Sequence, residues 1–200
     1  VCAAVGKRRK VMCNVFLDNK VIAWVDKFEY LGINFIVNDM LYVDISPIRQ
    51  RFYASCNSIF ANCHAREPVK LQLLQSYCVP LLTYCNGTID LSKALVRQLA
   101  VCFNDGYRKV FGYHRWESVK ELQLFCGDMP FEYKYDLARL KFYRDVSIKC
   151  TYLSDLLMVL SCELDVPQRL RELYDIRPTV ISNFGLTSVM FNHFVNFMVT

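Results

Sequence analysis

The sequence predicts an α+β fold: a small antiparallel hairpin or sheet at the N-terminus, then a mostly α-helical bundle. Three observations carry this. Val11, Cys13 and Val15 alternate with Met12, Asn14 and Phe16, the period-2 pattern of a strand. Beyond residue 46 the apolar residues recur at intervals of three and four, the period of a helix facing a core. Between these parts lies Phe28-Glu29-Tyr30-Leu31-Gly32-Ile33-Asn34-Phe35, where the chain switches from strand to helix.

Residues 1–37 read as strands. Asp18-Asn19 supply a turn and Val21–Val25 run back. Phe28–Val37 reads as one further extended segment, with Gly32 inside it marking a bulge or a close backbone approach. The composition shifts near residues 38–46, which sets two parts: 1–40 and 44–200.

Ser46-Pro47 opens the first helix as a cap residue followed by proline at the first helical position. Its seam is Ile48, Phe52, Cys56, Ile59 and Cys63. A second helix begins near Pro68 along Leu71, Leu74, Cys78, Leu81 and Cys85, with Pro80 predicting a kink near Cys78–Val79. A third runs from Ser92 to about Phe111 and stops at Gly112. Its apolar face is Leu95, Val96, Leu99, Phe103, Tyr107 and Val110, with Arg97, Asn104 and Arg108 opposite. Ser118-Val119-Lys120-Glu121 matches a capping box for a short helix ended by Gly127. A fifth helix covers about Phe131–Lys149 on a stripe of Phe131, Tyr135, Ala138, Phe142 and Val146. Shorter helices are expected near 152–161 and 167–175, the last stopped by Pro178. The Phe- and Val-rich tail from Thr179 carries no assignment.

Composition narrows the function. The chain is 54% hydrophobic and 22% charged, enough to bury a core and unlike a disordered segment. Its net charge of +5 leans mildly towards an anionic partner. The basic cluster Lys7-Arg8-Arg9-Lys10 is followed by an apolar run broken by Asn14, Asp18 and Asn19, which does not match a signal peptide. No apolar run approaches the ~18–20 residues that span a bilayer, so an intracellular, nuclear or cytoplasmic place is expected, with no membrane partner. The ten cysteines include no Cys-x-x-Cys pair. Cys56/Cys63 and Cys78/Cys85 are each seven residues apart, about 10 Å on a helix. Two zinc-bound sulfurs stand only about 4 Å apart. Buried free thiols are therefore expected.

Familiar catalytic patterns are missing from the sequence. It has no Gly-x-x-x-x-Gly-Lys loop, Gly-x-Gly-x-x-Gly, Gly-x-Ser-x-Gly or His-Glu-x-x-His, and His64, His114 and His193 are scattered. Asp128 reads as a helix cap and not as an acid catalyst. A binding surface remains. Asn104–Ser118 mixes cations, which neutralise phosphates, with rings, which stack on sugars or bases. The loop Gly112–Ser118 either displays Tyr113, His114, Arg115 and Trp116 together or packs Trp116 on the bundle.

Lys27-Phe28-Glu29-Tyr30-Leu31-Gly32 resembles the Tyr-Leu-Gly segment that closes the palm of LINE-type (non-LTR) retrotransposon reverse transcriptases. Three later segments, in the same order and spacing, resemble that family's thumb. They are Ile48-Arg49-x-Arg51-Phe52-Tyr53, Leu74-x-Ser76-Tyr77-Cys78-Val79-Pro80-Leu81-Leu82-x-Tyr84, and Tyr107-Arg108-Lys109-Val110-Phe111-Gly112-x-x-Arg115-Trp116-Glu117-Ser118-Val119. The resemblance covers roughly residues 1–150. It implies that 1–40 is the end of a palm with a primer-grip-like hairpin, and 44–200 a helical thumb that clamps a template–primer duplex.

On this likeness Tyr30, Leu31 and Gly32 are grip residues, or Tyr30 and Leu31 pack between palm and thumb. Arg97, Arg108, Lys109, Arg115 and Trp116 are the candidates for nucleic-acid contact. The family's Ala-Asp-Asp string, the earlier palm aspartate and the fingers are not in this sequence, and Cys85-Asn86-Gly87-Thr88 departs from the family after Tyr84. The chain opens at Val1 without an initiator Met, as a piece of a longer protein would. The resemblance thus implies no cofactor in this chain, with two Mg2+ in the missing palm. The expected partners are an RNA–DNA or RNA template–primer duplex and the upstream fingers and palm, with no polymerase activity in isolation. The alternative is a non-catalytic helical protein–protein interaction module. A metal-dependent enzyme would need clustered carboxylates or Cys/His.

Overall fold

Strand alternation and turn chemistry build the N-terminal part. The structure, a computed structural model, describes residues 2–6, 13–61 and 64–149. The Lys7–Lys10 cluster, Val11, Met12, Cys63, the helices expected near 152–161 and 167–175, Pro178 and the tail with His193 lie outside the described residues. By its contacts the chain divides into two units, Val1–Arg139 and Leu140–Thr200. Apart from the end of one helix, the described elements belong to the first unit.

Strands β1 (Val15–Leu17) and β2 (Lys20–Ile22) form an antiparallel hairpin with Val15 opposite Ile22. Asp18 and Asn19 make its turn at φ 49° and 60°, a left-handed conformation that short polar side chains tolerate. Strands β3 (Lys27–Tyr30), β4 (Ile33–Val37) and β5 (Leu41–Asp44) form a separate three-stranded antiparallel sheet in that order. Phe28 and Phe35 are paired across β3 and β4, with rings stacked 5.3 Å apart.

Two expectations change here. Phe28–Val37 is not one extended segment. Leu31 (φ 48°) and Gly32 (φ 76°) are the two turn residues of a tight hairpin, so Gly32 supplies a positive φ and not a bulge. Residues 41–44, inside the expected boundary, form β5 against β4, with Val43 opposite Phe35.

The α-helices follow the predicted order. Helix α1 (Ser46–Ala61) buries Phe52 and Cys56, with Ile48 and Ile59 half-buried against the core. Ser46 lies within the helix, and Asp44 serves its first turn: its carboxylate accepts from the Ser46 N–H at 3.0 Å. That hydrogen bond holds the Asp44 carboxyl below its usual range.

Helix α2 (Glu67–Leu73) leads into a π-helical turn, Leu74–Cys78, and then helix α3 (Val79–Thr83). The Val79 N–H bonds the Leu74 carbonyl five residues back. This is the structural form of the expected kink. A proline at 80 offers no N–H, and its ring would strike the carbonyl four residues earlier in a regular helix. The wide turn also shifts the phase. Leu74 and Cys78 are buried as predicted, but Val79 and Leu82 follow them inward. Leu81 is only half-buried, and Cys85 lies past the helix end at φ 58°.

Helix α4 (Lys93–Phe111) is the centre of the core. Ser92 caps it by accepting from the Leu95 N–H, and Gly112 ends it at φ 71°. Of the predicted face, Val96, Leu99, Phe103, Tyr107 and Val110 are buried and Leu95 half-buried. Ala100, Cys102 and Gly106 are buried as well. The helix is enclosed on several sides, which widens its apolar arc.

Gly106 sits where α4 crosses the π-helical turn and α1. A Cβ there would meet Leu74 Cδ1 at 2.9 Å and Phe52 Cζ at 3.1 Å, and both side chains are fully buried.

Helix α5 (Lys120–Phe125) forms without the predicted capping box. Val119 is its cap residue, and the Ser118 hydroxyl accepts from Lys120 N–H at 3.5 Å in place of Glu121. Gly127 ends it at φ 71°. Helix α6 (Phe131–Lys149) buries Phe131 and Tyr135, with Ala138 and Phe142 half-buried; the Val146 side chain lies outside the described ones.

Asp128 is not a helix cap. Its carboxylate accepts from the buried Tyr107 hydroxyl at 2.6 Å and from Met129 N–H at 2.8 Å, and it pairs with Lys134. Burial first, and then this carboxylate, push the Tyr107 phenol far above its ordinary value. The Tyr135 hydroxyl donates to the Ile89 carbonyl and accepts from Leu91 N–H, fastening the loop before α4.

The packing around α4 can be tested in two ways. Gly106→Val should destabilise the chain by about 1–3 kcal/mol in urea unfolding, the usual cost of overpacking a filled core. In an alkaline titration followed by phenolate absorbance, Tyr107 should ionise only as the chain unfolds. Because its folded value is raised, its contribution is complete below the unfolded value near 10 and is lost as pH climbs through the folded one.

Candidate functional site

The C-terminal end of α4 gathers most of the charged candidates. Gly112 turns the chain out of the helix, and both its own N–H and that of Tyr113 return to the Arg108 carbonyl. Arg108 stands one turn before the end, so its side chain reaches over the residues beyond it. Its Nε and Nη2 donate to the Glu117 carbonyl at 3.1 and 3.0 Å, and its Nη1 donates to the Asp105 carboxylate at 2.9 Å. The Tyr53 hydroxyl donates to the other Asp105 oxygen at 2.8 Å, which ties α1 to the same cluster. Burial, then its bonds to Cys102 and Asp105, push the Tyr53 phenol well up.

The loop is closed from its own side too. Glu117 N–H donates to the His114 carbonyl at 3.1 Å, and His114 N–H donates to the Glu117 carboxylate. Residues 113–117 are therefore fixed as a tight turn against α4.

Between this turn, α4 and α1 lies an open groove of about 430 Å³ lined by Tyr53, Asp105, Arg108, Lys109, Tyr113 and Arg115. Asp105 neutralises Arg108. Lys109 is exposed and touches the Asn57 amide oxygen; Arg115 is also exposed. Among the described residues neither Lys109 nor Arg115 is in an ion pair. The groove therefore presents about two uncompensated positive charges beside two phenol rings.

The structure thus brings together Arg108, Lys109 and Arg115. Arg97 is exposed on α4 about three turns earlier, roughly 16 Å along the axis. Asn104, expected on the polar face, accepts from the buried Gln123 amide at 2.8 Å. Trp116 does not pack on the bundle. It is 81% exposed and stacks on His114 with ring centroids 4.6 Å apart and planes 5° apart.

Tyr30, Leu31 and Gly32 sit at the tip of the β3–β4 hairpin. Tyr30 and Leu31 are 63% and 67% exposed, so neither packs in the core of this unit. The turn is tied to the helices by Tyr84, whose hydroxyl donates to the Leu31 carbonyl at 3.1 Å. A longer contact of 3.4 Å joins Arg51 to the Gly32 carbonyl. Arg51 and Tyr53 are two residues apart on α1, about 200° around it. The hairpin tip and the groove are thus served by different faces of that helix.

Sequence reasoning missed Tyr53 and Asp105 as groove residues. The available signal was the i, i+3 spacing of Asp105 and Arg108. Tyr53 had none, because its role depends on how α1 crosses α4.

The described cysteines, Cys2, Cys13, Cys56, Cys78, Cys85, Cys102 and Cys126, are free thiols. Cys56, Cys78 and Cys102 are buried, and Cys13 is exposed. Cys56 and Cys78 adjoin in the core, and the Cys56 thiol is pushed up by that contact and by burial. No group of three or more potential metal ligands occurs among the described residues. No described helix is long and apolar enough to cross a membrane.

Arg108→Met should release the 113–117 turn. Amide exchange of Glu117 should accelerate at least about tenfold, and stability should fall by about 1–3 kcal/mol, since Asp105 and the Glu117 carbonyl lose a charged partner. Unchanged exchange at Glu117 would show that the turn holds itself.

No protein-family model matches the chain, and no curated protein and no solved structure matches it.

Proposed function

We propose that this chain is the palm-end and thumb fragment of a LINE-type RNA-directed DNA polymerase. In this reading it grips a template–primer duplex without sequence preference and does not polymerise alone. The observation that supports it is the groove at the end of α4. There two unpaired cations, Lys109 and Arg115, stand beside Tyr53 and Tyr113 in a concave surface. Such a surface suits phosphates, which position a duplex without reading its bases.

Arg108 takes a different part from the one its charge suggests. With all three donor nitrogens engaged, it shapes the groove and leaves the phosphates to Lys109 and Arg115. Arg97, roughly 16 Å away along α4, extends the contact along the strand. Tyr30 and Leu31, exposed at a tied hairpin tip, and the half-buried Gly32 beside them are the grip residues of this reading. The two Mg2+ ions and their carboxylates belong to the upstream palm.

A second reading has its own observation. Phe16, Leu17 and Val21 on the β1–β2 hairpin are 61%, 64% and 59% exposed, and Phe125 is 90% exposed. Apolar exposure of this kind favours a polypeptide partner. In the first reading that partner is the upstream palm. In the second, the chain is a protein–protein interaction module with no nucleic-acid role.

A salt titration separates them. The chain should bind an RNA–DNA duplex with an affinity that falls steeply as salt rises, measured by fluorescence anisotropy. Replacing Lys109 and Arg115 together by Glu should weaken binding and lower the log–log salt slope by about 2, one unit per lost phosphate contact. A flat salt response, or an unchanged slope in the double variant, overturns the clamp.

A further inference from the structure

We infer that the His114–Trp116 pair is a stacking platform for an unpaired nucleobase, so that the site prefers a duplex carrying a single-stranded extension to a blunt one. This rests on the clamp reading and adds to it a ligand class that phosphate contacts do not select.

Trp116 is exposed but not loose. Trp116 keeps 81% of its surface in water while one ring face lies on His114, nearly parallel at 5°. A second ring can therefore extend the stack on the open face. A mobile surface side chain would lose much conformational freedom on being stacked. Here most of the ordering is already in the fold. Arg108 holds the Glu117 carbonyl through two hydrogen bonds, and Glu117 holds the His114 N–H and carbonyl. The two rings thus project from one backbone-fixed turn, His114 at its start and Trp116 within it, whose base is the C-terminus of α4.

The occupant follows from the charge. Arg115 stands between the two ring-bearing residues and lines the cationic groove with Lys109. An apolar protein face laid over Trp116 would have to cover or displace these cations without giving them partners. A nucleotide satisfies both needs at once: its base continues the stack and its phosphate meets Arg115. A base paired inside a helix offers no free face, so the ligand must have at least one base outside the duplex stack.

The test uses the full chain with Trp24→Phe, which leaves Trp116 as its single tryptophan. It is titrated with a blunt RNA–DNA duplex and with the same duplex carrying a short single-stranded extension. The extended duplex should quench Trp116 fluorescence and bind about 5- to 150-fold tighter, the range found for one stacked base. Trp116→Ala, made without the Trp24 change and read by anisotropy, should bring the affinity ratio of the two duplexes to about one. Trp116→Phe, which retains a ring face, should keep a ratio above one.

If both duplexes bind in a salt-dependent way with equal affinity and no quenching, the platform falls and the clamp stands. If neither binds, both fall. A ratio unchanged in Trp116→Ala places the preference elsewhere and overturns the platform.

Discussion

The site depends on one guanidinium group. Arg108 joins three pieces of chain: its own helix α4 through Asp105, the distant α1 through the Tyr53 that shares Asp105, and the 113–117 turn through the Glu117 carbonyl. Only arginine offers a planar set of donors that can hold a carbonyl and a carboxylate together. At side-chain exposures of 17% and 25% for Arg108 and Asp105, the ion pair is partly shielded from water and worth more than a surface pair. The groove exists because this cluster fixes where α1 and the turn stand on either side of α4.

Beneath the cluster, the same helix is set by close packing. Gly106 lets α4 approach Leu74 and Phe52 at a distance that any side chain would prevent. One position before it stands Asp105, and one after it stands Tyr107, whose hydroxyl is committed to Asp128. Three consecutive residues thus serve the groove, the helix crossing and the buried polar network. A change in how α4 sits in the core is transmitted directly to the charged end.

Much of this architecture was legible in the residues, and the reasons are local. Ser92 and Gly112 marked both ends of α4 because capping needs only neighbouring atoms, and the 3–4 spacing found the buried Phe52, Cys56, Phe103 and Tyr107. What was missed depends on contacts across the chain. The Leu31-Gly32 turn was hidden because leucine seldom takes a positive φ. The surrounding ties from Tyr84 and Arg51 hold it there at a cost of about 1–2 kcal/mol. Strand β5 is short and gains its identity only by pairing with β4. At the site, three residues singled out from the sequence, Arg108, Lys109 and Arg115, line one groove, yet Arg108 looked free in the sequence and is internally bound, while the exposure of Trp116 could not be read from spacing at all.

The wide turn at Leu74–Cys78 has a consequence for how this stretch can vary. It holds one residue more than a regular helix of the same reach, and Pro80 is comfortable only because of that surplus. Loss of one residue there would restore regular winding and bring the proline ring against the backbone. Length and proline are thereby coupled: a shorter version of this segment requires another residue at 80. Relatives of this chain should therefore show deletion and proline loss together.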